Sequence, residues 1–436
     1  MKNGYSFLVL TWITLLVFSC KEDKSIHIPE PTKLAYIGDT LTISADRYYD
    51  KVLGALVGSA IGDAMGASTE MFRRTYIQQK YGYITALTPA IRQQSPEGSW
   101  DHNLEAGTTT DDTRWKYLMV KYIRKHRADM NATDFARFIT NYYRTVATDL
   151  VEPKILTNPD ELDEKIEKID WIKEWARVAF AFQTGPKEYQ EAQHRFYGGE
   201  MSCAGMLYTP VFGLVEPTPN AAYRKAYEHA IFDLGYAKDI AGLAAAMTHT
   251  AMRTQHIDSI LDTAIFVDPF RYQDSRLVGR ISYLIADASE NTVLMAREIE
   301  QVPVKDSLSG ILSPVDTLGF KIPKGYPGTT LEWVQQDFVY QALEKDEKAI
   351  AFHAAEIWQI LFTALKFGEG DFEKTMQFII NYGRDNDTVA AVAGMILGAK
   401  IGYEKLPKAL KEEVLRVNQE QMGLDLEALA RELVAL

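Results

Sequence analysis

The sequence predicts an all-α fold, and three observations carry that expectation. Segment after segment repeats apolar residues at three- and four-residue spacing, alternating strand patterns are nearly absent, and two glycine series fall four residues apart. The chain has 436 residues, 47% hydrophobic and 11% aromatic, which is the composition of a globular protein with room for one large core. Its formal charge of -12 argues against nucleic acid as the main partner.

The opening "MKNGYSFLVLTWITLLVFSC" has one lysine, an apolar run from Phe7 to Phe18, and then Ser19-Cys20. It resembles a bacterial lipoprotein leader, so residues 1–19 read as a signal peptide and Cys20 as the lipidated first residue of the mature chain. The apolar run falls short of the ~20 residues needed to span a bilayer, so the expected membrane attachment is the lipid alone. Loss of Lys2 with the leader takes the net charge from -12 to -13. The "KEDK" that follows resembles an acidic export tag to the cell surface, placing the protein outside the cytoplasm at the outer membrane. Cys203 is then the one remaining cysteine, so no internal disulfide is available. Residues 20–45 are polar and proline-bearing, without helical period, and read as a tether.

The folded domain is expected over 46–436. It opens with "KVLGALVGSAIGDAMGASTE", where Gly54, Gly58, Gly62 and Gly66 share one helix face. Missing side chains there let another backbone come close, and Gly394, Gly398 and Gly402 in "DTVAAVAGMILGAKIG" make a matching stripe. Asp63 and Lys400 interrupt both segments, which favours a buried soluble core over a membrane dimer. Between the stripes, helical periodicity marks 112–126, 131–146, 162–182, 221–235, 237–252, 331–345, 346–368 and 371–383, and a last helix follows at 425–436. The stretch 268–328 is rich in Pro, Gly and Ser and reads as a loop-rich insertion with one or two short helices. No solenoid repeat and no composition break calls for a second domain.

Carboxylates cluster at predicted helix ends. In "GTTTDDTRWKYLMVKYIRKH", Thr110 is a good N-cap, and Asp111 and Asp112 fall in the first turn, where the helix dipole tolerates them. First-turn acids are common, but "GRDNDTVAAVAGMILGA" repeats the arrangement with Asp385, Asp387 and Thr388. Asp63 and Glu70 stand at the end of the first glycine helix. Converging carboxylates need a cation to offset repulsion and desolvation. Hard oxygen donors suit Mg²⁺, Mn²⁺ or Ca²⁺, whereas zinc would call for His or Cys. An EF-hand is excluded, since "DNDTVAAVAGMI" lacks the glycine at position six and the terminal glutamate. The donor set points to a two-metal centre.

The motifs "GALVGSAIGDAMGASTE", "TTDDT", "GRDNDTVAAVAGMILGA" and "AAAMTHTAM" together resemble the ADP-ribosylglycohydrolase family in order and spacing, from about Asp46 to Gly402. The resemblance implies an orthogonal all-α bundle with a binuclear Mg²⁺ or Mn²⁺ cleft that hydrolyses N- or O-glycosidic bonds of ADP-ribose. It implies Thr110, Asp111, Asp112, Asp385, Asp387 and Thr388 as metal ligands. Cleavage through a ribose cation-like state needs an acid/base, for which Asp112 and Glu70 both stand as candidates.

The substrate wall departs from the family pattern. An Asn-Gly-x-x-Met-Arg-x-x-Pro stretch is replaced by "SCAGMLYTP", in which Met206 and Pro210 keep their places while Ser202 stands for the Asn and Leu207 for the Arg. Gly383-Arg384-Asp385 replaces the usual Gly-Gly-Asp. Arg384 is either a cation beside the substrate or the partner of a surface carboxylate. His249 matches a histidine near the nucleotide pocket, or is a satisfied core residue. The expected partner is a small or protein-linked ribosyl substrate. A non-catalytic member of the same fold and a two-metal phosphohydrolase are the alternatives.

Overall fold

The computed structural model describes residues 41–91, 104–151, 159–300 and 322–436, with 148–151 and 159–170 as backbone only. The leader, Cys20, most of the tether and the centre of the proline-rich insertion lie outside the described residues. Ser44 caps α1 (Ala45–Gly66), accepting from the Arg47 N–H. A two-residue strand, β1 (Phe72–Arg73), leads into α2 (Arg74–Tyr81). Thr110 caps α3 (Asp111–His126), as its sequence predicts. Then α4 (Ala132–Val151) packs on α5 (Pro159–Thr184). Next, α6 (Pro186–Tyr197) starts on a proline and stops at the left-handed Gly198, the pattern that opens and closes a helix at least cost.

Two short helices, α7 (Ala204–Tyr208) and α8 (Phe212–Val215), precede α9 (Pro219–His229), which Thr218 caps. Four more follow: α10 (Tyr236–Ala251), α11 (Ile257–Phe266), α12 (Ile281–Arg297) and α13 (Thr330–Lys345), the last with a Thr329/Glu332 capping box. Next come α14 (Ala354–Phe367), α15 (Phe372–Tyr382), the strand β2 (Gly383–Arg384) and α16 (Asn386–Ile401). The chain closes with α17 (Lys408–Val417) and α18 (Leu426–Val434). The fold is all-α, as expected; among the described residues the one ladder is the antiparallel β1–β2 pair.

At the centre, α1 lies against α16 over its whole buried length. A Cβ on Gly54 would sit 2.6 Å from the Gly398 carbonyl oxygen, and one on Gly58 or Gly394 would enter the other's carbonyl. The two stripes therefore interlock backbone to backbone. Buried Lys51 ties the carboxyl ends of neighbouring helices, donating to the carbonyls of Ala399 at 2.7 Å, Lys400 at 3.0 Å and Ala251 at 3.3 Å. Around this pair packs one core whose largest fully buried side chains include Trp115, Trp358 and Phe135.

Two expectations change. The 268–328 stretch carries the 17-residue helix α12. It is docked by buried Arg280, which grips Asp239 bidentately at 2.8 and 3.0 Å and caps α11 through the Val267 carbonyl at 2.8 Å. The helix expected over 346–368 starts only at Ala354, because the His353 side chain caps the Ala355 N–H and its backbone bridges to Ser202. That break brings Phe352 to the cavity described next.

Candidate metal centre

The glycine stripes place the first carboxylate. A Cβ on Gly66 would collide with the Asp387 backbone, so only glycine lets the start of α16 sit on the end of α1. Beyond Gly66 the chain turns through Glu70, whose N–H donates to the Gly66 carbonyl at 3.0 Å. Met71 and Arg384, neighbours of Glu70 and Asp385, both hold positive φ, at 62° and 65°. The Met71 N–H donates to the Arg384 carbonyl at 2.7 Å, and β1 pairs with β2 immediately beyond.

The "TTDDT" turn is held from below by Asp63. Its Oδ1 accepts from the Thr110 N–H and hydroxyl, both at 2.9 Å, and its Oδ2 from the Thr113 N–H at 3.0 Å and hydroxyl at 2.6 Å. Burial, then repulsion from Asp112, raises the Asp63 carboxyl to about 6 despite these donors. Asp112 is also buried; its Oδ2 accepts from the Thr388 hydroxyl at 3.0 Å, and Lys116 reaches its Oδ1 at 3.4 Å. The two remote motifs therefore touch through Thr388 and Asp112. The Thr110 hydroxyl also lies 3.3 Å from Asp387 Oδ2.

Glu70, Asp385 and Asp387 form the cluster itself, all buried, each offering a carboxylate oxygen within 4.8 Å of the others. Burial, then the Asp387 charge, pushes Asp385 well above the usual carboxylate range; burial, then Glu70, does the same to Asp387. Asp387 Oδ1 is buried with no hydrogen-bond partner. A buried, mutually repelling set of hard oxygen donors with an orphaned oxygen fits a divalent cation of the Mg²⁺ or Mn²⁺ kind. Asp111 and Thr388 line the same cavity, about 210 Å³ in volume. Of the six residues implied as ligands, Asp111, Asp385, Asp387 and Thr388 face it, whereas Thr110 and Asp112 hold it from behind. Glu70 joins the cluster directly.

The expected substrate residues separate. Ser202 lines the cavity, its buried Oγ without a partner, and Leu207 lines it too. Met206 is fully buried core. His249 takes the core alternative in its bonding: its ring bonds the Gly213 carbonyl at 3.1 Å and accepts from Arg253 at 3.1 Å, tying α10 to α8, and burial lowers its pKa to about 4. Arg384 grips buried Glu356 at 2.6 and 3.0 Å and the Lys348 carbonyl at 2.9 Å, so the carboxylate it pairs with is in the core and not on the surface. Sequence reasoning missed Cys203, whose Sγ lies 3.7 Å from Asp385 Oδ2. It also missed the aromatic wall of Trp171, Trp175, Phe196 and Tyr197, which helical periodicity disguises as ordinary core.

Comparison with known proteins places the chain in a family. A family model described as ADP-ribosylglycohydrolase matches residues 44–436. An ADP-ribosyl-[dinitrogen reductase] glycohydrolase from Rhodospirillum rubrum is 38% identical over 65 residues, 15% of this chain and 19% of that protein. The protein YegU of Escherichia coli (strain K12) is 21% identical over 383 residues, 88% of this chain and 97% of that one. A solved ADP-ribosylglycohydrolase-related protein complex matches with TM-score 0.47 and 19% identity, over 89% of this chain and 99% of that chain.

Proposed function

The chain belongs to the ADP-ribosylglycohydrolase family, and from that premise we propose that it is a divalent-metal-dependent hydrolase of an N- or O-glycosidic ribosyl bond. The observation that carries the reading is the buried cluster of Glu70, Asp385 and Asp387 at the floor of a cavity that Asp111 and Thr388 also line. These five residues would hold Mg²⁺ or Mn²⁺, two ions in the full reading. Cations held there would polarise the ribose hydroxyls and lower the pKa of water beside them.

The chain's own groups supply the rest. Asp63 and Asp112 fix the "TTDDT" turn and Thr388, so the cavity-facing oxygens keep their places without rearrangement. Of the two acid/base candidates, Glu70 faces the cavity and Asp112 does not, so Glu70 is the better placed to carry the proton between water and the leaving group. The leader ending at Ser19-Cys20 supports attachment through lipid outside the cytoplasm.

The test is a panel of ribosyl compounds given to the full chain with Mn²⁺ or Mg²⁺ and with chelator. Turnover should vanish on chelation, and Glu70→Gln should lower kcat by ~10²–10⁴-fold at saturating metal. Turnover that ignores the chelator, or a Glu70→Gln enzyme at wild-type rate, would remove the reading.

A further inference from the structure

The cavity carries information about the substrate that the metal cluster does not. Above the carboxylates its walls are the rings of Trp171, Trp175, Phe196, Tyr197 and Phe352. Trp175 and Tyr197 stand 6.3 Å apart at 57°, braced from behind by Trp115 and Phe232, so the wall is rigid. Two buried hydroxyls on it, Ser202 Oγ and Tyr197 Oη, have no hydrogen-bond partner.

The charge pattern is equally specific. Glu70, Asp111, Glu174, Asp385 and Asp387 line the cavity, and among the described lining residues none is Lys, Arg or His. Two divalent cations would balance four of those five carboxylates, leaving no positive surplus for a phosphate. At two helix starts beside the cavity, N–H groups are already taken from within. Asp63 takes the N–H groups of Thr110 and Thr113 at α3, and Asp233 takes that of Gly205 at α7. Arg177 and Arg195 stack on Phe196 at 5.6 and 5.5 Å, yet neither lines the cavity. At about 210 Å³ the space falls below the ~300–1,000 Å³ of clefts for drug-sized ligands.

We propose that this cavity takes a phosphate-free N-riboside, a nucleoside-type substrate whose flat base lies against Trp175 and Phe196 and whose ribose faces the carboxylates. The inference rests on the hydrolase reading and narrows it. Base on aromatic ring is a contact any base can make. In the reaction the bond between C1′ and the base nitrogen breaks. Water gives its hydroxyl to C1′ and its proton to the departing nitrogen, so ribose and free base are the products and no further reactant is needed.

The experiment compares the full chain with Mn²⁺ on purine, pyrimidine and nicotinamide ribosides, on their 5′-monophosphates, and on ADP-ribosyl-arginine, following both base release and quenching of tryptophan fluorescence. Ribosides should exceed their 5′-phosphates and ADP-ribosyl-arginine at least tenfold in kcat/KM. Trp175→Ala should raise the riboside KM roughly tenfold, about the share of one stacked base, with kcat nearly kept. Phe196→Ala gives the same readout if the tryptophan variant fails to fold. Better turnover of the phosphorylated compounds or of ADP-ribosyl-arginine would overturn the inference and leave the hydrolase reading intact. Saturable riboside quenching without turnover of any compound would keep the cavity assignment and sink the hydrolase reading. Neither turnover nor quenching would overturn both.

Discussion

Met71 and Arg384 hold each other in left-handed backbone conformation across the site, φ 62° and 65°, joined by a 2.7 Å hydrogen bond from the Met71 N–H to the Arg384 carbonyl. Each adjoins a cluster carboxylate, Glu70 before Met71 and Asp385 after Arg384. A side chain in this region costs about 1–2 kcal/mol, and such strain persists only where its surroundings enforce it. The β1–β2 pairing and the grip of Arg384 on Glu356 do so here. At an ordinary position Gly is less stable than Ala by ~0.5–1 kcal/mol. At position 71 the order should reverse, with Met71→Gly more stable than Met71→Ala by ~1 kcal/mol in denaturant unfolding. The ordinary order would show that the strain is not there.

Asp111 and Asp387 come from motifs far apart in the chain yet line one cavity. Asp111→Ala and Asp387→Ala should each weaken Mn²⁺ binding tenfold or more by calorimetry, since either removes an oxygen donor from the same charge cluster. Wild-type affinity in Asp111→Ala alone would take the "TTDDT" turn out of the centre. Asp63→Ala should act differently, by destabilising the fold. It strands the buried N–H groups of Thr110 and Thr113, and unsatisfied groups of this kind cost ~1–3 kcal/mol each.

Gly58→Ala tests the central packing. The added methyl would enter the Gly394 carbonyl, and neither helix can retreat without opening the other contacts along the stripe. A loss of at least ~1–3 kcal/mol is expected, the usual cost of overpacking a tight core. An unchanged melting temperature would mean that α1 and α16 lie farther apart.

What the sequence makes legible here is what repeats at a fixed period or recurs as a local motif. The glycine stripes predict the α1–α16 contact, and the acidic helix starts predict a shared centre, because both signals lie within a few residues. Roles set by distant partners are not legible. Asp63 reads as one polar residue in an apolar helix until Thr110 and Thr113 arrive from 47 and 50 residues away. Arg384 reads equally as a cation beside the substrate or the partner of a surface carboxylate, because Glu356 lies 28 residues upstream on another helix. Trp171 and Trp175, four apart, match a core stripe as well as a cavity wall. Their packing on Trp115 and their exposure to the cavity are both tertiary facts.

Cys20 lies outside the described residues, and no helix among those described is long and apolar enough to cross a membrane. If the leader is processed as its sequence suggests, lipid on Cys20 is the attachment, and Cys20→Ser should move the protein from the membrane fraction to the soluble one. Retention of Cys20→Ser in membranes after a high-salt, alkaline wash would refute the lipid anchor.

The carboxylates predict opposite pH responses with and without metal. Burial holds Asp63 at about 6 and Asp233 at about 7, and it raises Asp385 and Asp387 well above the usual carboxylate range, all above their unfolded values near 4. Between those limits the folded state binds protons that the unfolded state does not. Stability of the metal-free protein should therefore rise as pH falls from about 7 toward 4, because protonation relieves the buried charges first in the folded state. A divalent cation needs the same carboxylates ionised, so the stabilisation it adds should shrink over the same window. Melting temperatures at pH 5, 6 and 7.5, in chelator and in excess Mn²⁺, should show the gain from metal largest at pH 7.5 and smallest at pH 5. A metal gain that grows on acidification, or a chelated protein that loses stability from pH 7.5 to pH 5, would contradict a cation held by these buried carboxylates.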